Sequence, residues 1–574
     1  MSKQEIGKLR PSQLLHYHGP GAIVDLIEDS VVISAADEWS IPRENRYQEP
    51  RIERMLNIDY IKLISEEEDR IKVGARSFPR WRICPSCGMM DSFASKECYF
   101  CKKNEDKSVK LYPSRFILVC EKGHLSDFPW IDWVHNGEKC SSGKSVLKYK
   151  SKGSAGSLSD IVVSCVKCGE QNSLAQIMKT EEIEKYVPQC TGERPWLNDK
   201  EECSESMKTS LRGASNIYTP IITSVLSIPL TASSGDEIMF IVDSKRDVIA
   251  NLLEMQNYDD NAKKTLICSV LGRTESDYER IMNHYLNEET VHYDSIRKQE
   301  WFTLISGDIN DQEETGFVSK QVAIHEEMST YFNSIVRVDR LREVRVLNGF
   351  TRLNYPDPFF EEALDVLPIM KERQNWLPGV LVHGEGVFFE FNPKAIYKWQ
   401  ANQNVQQQLN KIVNKYNVMR EELGYSRRDL APKDILIHTF SHMLIKEFAA
   451  HSGYSSTSLR ERLYCGPDMM GVLIYTASSD SEGSLGGLIE LSKPEKLYPI
   501  FIRALERFEY CSSDPHCSDG DFELQTSING AACHACSYVS ETSCEWNNHL
   551  LDRRTIVPLL GFENMTLFKW ESHF

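Results

Sequence analysis

Two Cys-x-x-Cys turns, Cys84-Pro-Ser-Cys87 and Cys98-Tyr-Phe-Cys101, put four thiols into eighteen residues. Zinc is held by four soft ligands at the corners of a tetrahedron, and each such turn offers two thiolates. Two turns on facing hairpins close the coordination shell, which marks a structural site with no open position for catalysis. A zinc-ribbon-like site is therefore expected at Cys84, Cys87, Cys98 and Cys101.

The other cysteines follow the same theme less plainly. Of 17 in the chain, ten fall between Cys84 and Cys203 and five between Cys511 and Cys544, leaving Cys268 and Cys465 apart. Clusters of this kind indicate separate metal-bearing modules rather than scattered core thiols. A second site is expected at Cys165 and Cys168 (CVKC), completed by Cys190 and Cys203. Cys120, His124, His135 and Cys140 are left over. They either make a third site, since CEKGH sets a sulfur and an imidazole four residues apart, or Cys120 or Cys140 replaces one of the later cysteines. Near the C-terminus five cysteines compete for four places. Cys517, Cys533, Cys536 and Cys544 form the expected quartet, with Cys511 as the substitute. The expected cofactor is Zn2+, at two or three ions per chain.

Other chemistries find less support. Gly143-Lys144-Ser145 resembles the end of a phosphate-binding loop, but Glu138 stands where the first glycine belongs. No G-x-S-x-G elbow occurs. His438 and His442 (HTFSH) lie four apart on one helix face, yet Thr439 occupies the place of a zinc protease's glutamate. A core or packed polar network is the reading preferred for them, with a metal or nucleic-acid phosphate contact as the weaker one. The alternative is a zinc-dependent nuclease or hydrolase using a nearby carboxylate such as Glu447.

A net charge of −17 argues against a simple nucleic-acid binder, whose contact face is basic. One local patch runs the other way: Lys139 to Lys152 holds five lysines and no acid. Lys144, Lys148, Lys150 and Lys152 are candidate phosphate contacts, set against the plainer reading of a solvated loop.

These residues must be positioned by more than one core, because 574 residues exceed what a single domain ordinarily packs. The N-terminal residues MSKQEIGKLRPSQLLHYHG are charged where a signal peptide is apolar, and no apolar run reaches about 20 residues. A cytoplasmic location with reduced thiols is expected. The pattern predicts a mixed α/β multidomain chain with no internal repeat. Residues 1–80 form an N-terminal α/β segment and 81–210 a cysteine-rich, zinc-ribbon-like region. Residues 211–375 form a mostly helical middle domain and 376–574 an α/β C-terminal zinc-binding domain. Within the last, VLVHGEGVFFEF reads as a hairpin, GVLIYTASS as a buried strand, and SEGSLGGLIEL as a glycine-rich turn entering another element.

Several long segments carry a family resemblance: RPSQLLHYHGPGAIVDL, CEKGHLSDFPWIDWVH, RPWL with RGASNIY, LREVRVLNGFTRL, HTFSHMLIKEFAAHSGYSSTSLRERLY, GVLIYTASSDSEGSLGGL and CSSDPHC…GAACHACSYVSETSCEWNNHLLDRR. Together they resemble the DrmB family, the helicase-associated component of the bacterial DISARM anti-phage system. Residues 376–574 also resemble the zinc-binding domain that ends MrfA-type DNA repair helicases. That resemblance implies a metal held by four of Cys511, Cys517, Cys533, Cys536 and Cys544. It further implies a partner in trans, a DrmA-like superfamily-two helicase, with DNA bearing a single-stranded end as part of the complex. The implied role is that of a non-catalytic DNA-binding scaffold. A purely structural subunit without DNA contact is the main alternative.

Overall fold

Strand, tight turn, strand is the local unit adopted by the cysteine-rich residues, and it occurs three times among the described residues. Arg82–Ile83 pairs with Met90–Asp91, Phe116–Val119 with Leu125–Asp127, and Ile161–Cys165 with Gln171–Ser173, each antiparallel. A third strand completes each sheet: Tyr112–Pro113, Lys208–Leu211 and Leu147–Ser151 respectively. The turns hold Cys84–Cys87, Cys120–His124 and Cys165–Cys168. Each closes on a glycine in the left-handed region, Gly88, Gly123 or Gly169, at φ 74°, 75° and 87°. In all three the glycine amide donates to the carbonyl of the turn's first cysteine at 2.9 Å. The recurring hairpin leaves no visible sequence repeat because its second ligand changes from cysteine to histidine and the strands differ in length.

The computed structural model describes residues 5–27, 29–64, 71–92, 96–151, 157–229, 242, 245–255, 258–286, 293–354, 366–476, 486–519 and 528–569. The chain forms two units built from separated stretches: 1–48, 58–223 and 345–380 in the first, 49–57, 224–344 and 381–574 in the second. No helix among the described residues is long and apolar enough to cross a membrane.

The first unit contains the three hairpins. Phe116, Leu118, Trp130, Trp133, Leu147 and Val163 pack beneath them. A second anchor is Arg352, fully buried against the rings of Trp196 and Phe350. Its guanidinium donates to the carbonyls of Gly21 (2.7 Å), Gly123 (2.9 Å) and Ile217 (2.5 Å). Gly21 is required there, since it sits at φ 87° and an added Cβ would lie 2.3 Å from Phe350.

The second unit is a sheet with helices packed on it. Strand order runs Ile309–Asp311, Phe317–Gln321, residues 332–344, residues 381–391, Gly471–Thr476 and Leu459–Tyr464. Gly471–Thr476 is buried along its whole length, as the apolar run GVLIYT requires. The helix Pro432–Ser452 packs against these last two strands and against the helix Pro494–Phe508. Pro432 opens it at a position whose amide needs no partner, and Gly453 closes it in the left-handed region. Its residues from Ile435 to Ile445 are buried on every side, so it is a core helix and not an amphipathic surface one.

Two expectations change in detail, and a third lies largely outside the described residues. VLVHGEGVFFEF is no hairpin but part of one strand, Trp376–Phe391. Gly384 serves close strand approach, since a Cβ there would lie 1.7 Å from the Thr476 carbonyl. Helices between 211 and 375 lie at Arg246–Glu254, Asp260–Val270, Tyr278–Leu286 and Tyr293–Ser306, flanked by long strands Thr219–Ser227 and Phe332–Thr351. The glycine-rich turn SEGSLGG falls largely outside the described residues, which resume at Gly486 before the helix Gly487–Leu491.

Candidate metal centres

In the first cluster Cys84, Cys87, Cys98 and Cys101 come together, with Sγ separations of 3.7 Å for Cys84–Cys101 and 3.6 Å for Cys87–Cys98. Sulfurs about 2.3 Å from a tetrahedral zinc stand about 3.8 Å apart, whereas a disulfide would need about 2.05 Å. The first pair sits in a hairpin turn as expected. The second does not: Cys98 precedes the helix Tyr99–Glu105 and Cys101 lies in its first turn.

The expected grouping of Cys165 and Cys168 with Cys190 and Cys203 is not what the structure brings together. Cys165 and Cys168 meet His135 and Cys140, while Cys190 and Cys203 meet Cys120 and His124. The reason lies in the hairpins, since each turn supplies two ligands and needs two more from a different segment. Cys140 Sγ is 3.8 Å from Cys165 Sγ, and His135 Nε2 is 3.4 Å from Cys168 Sγ. In the other cluster His124 Nδ1 lies 3.3 Å from Cys120 Sγ. Glu201 holds the far nitrogen of His124 at 2.7 Å, the outer carboxylate that metal-binding histidines commonly carry.

The C-terminal cluster is Cys511, Cys517, Cys533 and Cys536. Separations are 3.4 Å for Cys511–Cys533, 3.6 Å for Cys517–Cys536 and 3.8 Å for Cys533–Cys536. Cys511 thus takes the place expected of Cys544, which is buried elsewhere, 3.2 Å from His438 Nε2. Asp514 helps shape the loop by pairing with the fully buried Arg553 at 2.7 Å.

Thiols packed this closely cannot all ionise unaided. Burial raises Cys84, but the amides of Cys87 and Ser86 bring it down to about 7. Burial and the adjoining thiols push Cys87 up to about 12. Cys120 is drawn down to about 4 by the Cys190 thiol, and Cys536 to about 4 by that of Cys517. Cys165 settles at about 6, where backbone amides overcome burial. One thiolate per cluster is favoured, at Cys84, Cys120, Cys165 and Cys536, while neighbours such as Cys87, Cys168, Cys190 and Cys517 are opposed. A divalent cation among them removes the conflict, so the donor sets fit zinc. Each set fills four positions from the protein alone, which is structural coordination.

The lysine patch takes a different form from the expected loop. Lys148 and Lys150 lie on the edge strand Leu147–Ser151, opposite Ser164 and Val162, with Lys150 exposed and Lys148 half-buried. Lys144 is exposed in the turn before it, and Lys152 lies outside the described residues. Glu447 does not join HTFSH. It is held by His451 at 2.9 Å and Arg507 at 3.3 Å, while Glu461 is the carboxylate beside the two histidines.

Residues 440–537 match the MrfA Zn-binding domain, a span that contains all four cysteines of the C-terminal cluster. Residues 10–219 match a domain of unknown function, DUF8724, a span that contains the other three clusters. The chain is thus a zinc-binding protein of mixed α/β fold. It is 34% identical over 569 residues to the DISARM protein DrmB of Bacillus paralicheniformis (strain ATCC 9945a / NCIMB 11709 / CD-2), covering 95% of this chain and 100% of that one. The chain belongs to the DrmB family.

Proposed function

We propose that this chain is a non-catalytic subunit of a DISARM anti-phage complex, where it scaffolds a DrmA-like superfamily-two helicase and lines part of the path of the DNA. The observation that carries this reading is the 34% identity to a DISARM protein along essentially the whole of both chains. The match to the MrfA Zn-binding domain supports it, because the resemblance to MrfA-type DNA repair helicases implies a motor working beside such a domain. A net charge of −17 suits docking on a basic partner better than wrapping DNA alone. The basic edge strand with Lys148 and Lys150 then supplies a local phosphate contact within the complex. Zinc at four clusters, one ion each, braces short hairpins that bury too little apolar surface to stand unaided.

Co-expression with a DrmA-like helicase tests the reading. Co-purification, together with tighter binding of a DNA end by the pair than by the helicase alone, is the expected result. Binding no tighter than the helicase alone leaves a purely structural subunit, and failure to co-purify removes the scaffold as well.

A further inference from the structure

Four side chains from three elements of the second unit meet away from the four-cysteine cluster. His438 and His442 stand one turn apart on the helix Pro432–Ser452, Glu461 comes from the strand Leu459–Tyr464, and Cys544 from the loop beyond Cys536. Both histidines are 0% exposed and Glu461 is 2% exposed. The four donor atoms lie within 4.8 Å of one another. His438 Nε2 is 3.2 Å from Cys544 Sγ and 3.2 Å from Glu461 Oε1, and His442 Nε2 is 3.6 Å from that same oxygen. Donors placed tetrahedrally about 2.0–2.3 Å from zinc stand about 3.3–3.8 Å apart, so the cluster has the right size.

Its orientation is fixed from outside. A carbonyl only accepts, so His442 Nδ1 must donate its hydrogen to the Ser537 carbonyl at 2.8 Å. In the neutral ring that leaves the lone pair on Nε2, which is buried without a hydrogen-bond partner and faces the cluster. Glu461 is equally constrained: Ser441 donates to Oε2 and the Glu545 amide to Oε1 at 2.9 Å. The Asn548 amide donates to Cys544 Sγ at 3.1 Å, which fixes the position of the sulfur. A divalent cation bound by one carboxylate, one thiolate and two neutral imidazoles is charge-balanced.

We propose that His438, His442, Glu461 and Cys544 form a separate, closed zinc site. It shares no ligand with the four-cysteine cluster and reaches beyond the matched zinc-binding segment, since His442 and Glu461 lie within residues 440–537 but His438 and Cys544 outside. Its role is to staple the core helix to the neighbouring strand and to the C-terminal loop. Because Ser537 directly follows Cys536, it also couples this centre to the four-cysteine cluster.

The test uses crystals of the full chain purified without added metal or chelator, with anomalous difference maps collected on both sides of the zinc edge. A peak among the four donor atoms that disappears below the edge is expected. Peaks at the cysteine clusters with none here overturn the proposal and leave the zinc reading of those clusters intact. A peak here that persists below the edge overturns zinc as the occupant. A peak here with empty cysteine clusters upholds this site and removes that other reading. In solution, Cys544→Ser and His442→Gln should each lower the zinc content by one ion per chain. An unchanged content in a folded variant overturns the site; if neither variant folds, the native maps decide.

Discussion

His135 donates its Nδ1 hydrogen to the Ile131 carbonyl, 2.7 Å away, and this turns Nε2 toward Cys168 at 3.4 Å. The helix Trp130–Val134 therefore aims the imidazole before any metal arrives. His135→Ala should lower the zinc content by one ion per chain. The affinity loss should exceed the ~10–100-fold that removing an outer partner of a ligand costs. His135→Cys keeps a fourth ligand, so it should retain the ion and shift the visible spectrum of the cobalt-loaded protein toward four-sulfur coordination. Metal analysis of the two variants checks this, and equal zinc in His135→Ala and the native chain would refute it.

Gly88 and Gly169 close equivalent turns but differ in what surrounds them. A Cβ on Gly88 would lie 2.3 Å from the Tyr149 carbonyl, whereas one on Gly169 would meet nothing within 4 Å. The Gly88 carbonyl also accepts the Tyr149 amide at 2.8 Å, so the backbone there cannot retreat without losing that bond. Gly169→Ala should cost only the left-handed conformation, about 1–2 kcal/mol. Gly88→Ala should cost about 2–4 kcal/mol, the same conformational penalty with a lost hydrogen bond added. Chelator-competition rates should follow the same order, with zinc leaving the Gly88 variant faster.

How far these sites could be read from sequence depends on where their ligands lie. Cys84, Cys87, Cys98 and Cys101 are consecutive cysteines within eighteen residues, so spacing alone assigns them. Cys165 and Cys168 announce a turn but not its partners, because His135 and Cys140 reach it from an earlier helix and loop. The CEKGH turn was visible as a candidate; its completion by Cys190 and Cys203 follows only from the fold. Cys544 was misgrouped because it sits eight residues after Cys536, while its neighbours are a helix and strand roughly a hundred residues earlier. The fold shows the same division. The four-residue spacing of HTFSH places it on a helix, as found in Pro432–Ser452, but local patterns do not show that the two units interleave along the chain.

Glu300 is fully buried in the second unit, and Arg462 grips it through two hydrogen bonds of 2.6 and 2.7 Å. Burial alone would raise this carboxyl, yet the charges of Arg462 and Arg297 outweigh it and hold it below its ordinary range. A depressed carboxyl stabilises the fold above its unfolded value of about 4.3, and the contribution fades as pH falls through the folded value. Urea unfolding between neutral pH and about pH 3 should therefore show an acid-side loss that is shallower in Glu300→Gln. Arg462→Met, which strands the carboxylate, should cost about 3–5 kcal/mol at neutral pH.

If the edge strand touches phosphate, the salt dependence of DNA binding will report it. Replacing Lys144, Lys148, Lys150 and Lys152 by alanine in the chain–helicase pair should flatten the slope of log K against log salt. Each lost contact is worth about 0.7–0.9 in that slope. An unchanged slope would place the DNA elsewhere and favour a structural role for the patch.

Arg352 gives the last and most demanding prediction, because its partners explain why distant motifs belong together. Gly21 ends the HYHGPG segment, Gly123 belongs to CEKGH, Ile217 to RGASNIY, and Arg352 itself to LNGFTRL. Three of these segments offer a carbonyl and the fourth brings the guanidinium that joins them. A planar fork reaches three divergent acceptors from three nitrogens, which a lysine's single nitrogen cannot do. Arg352→Lys should leave at least one buried carbonyl unsatisfied, at about 1–3 kcal/mol, and Arg352→Met all three. Because Gly123 closes the turn between Cys120 and His124, both variants should release zinc from that cluster faster than from the cluster at Cys84. Chelator competition followed by mass spectrometry, which counts ions retained over time, separates this from general unfolding. Uniform loss from every cluster would mean that Arg352 supports the unit as a whole and not that turn in particular.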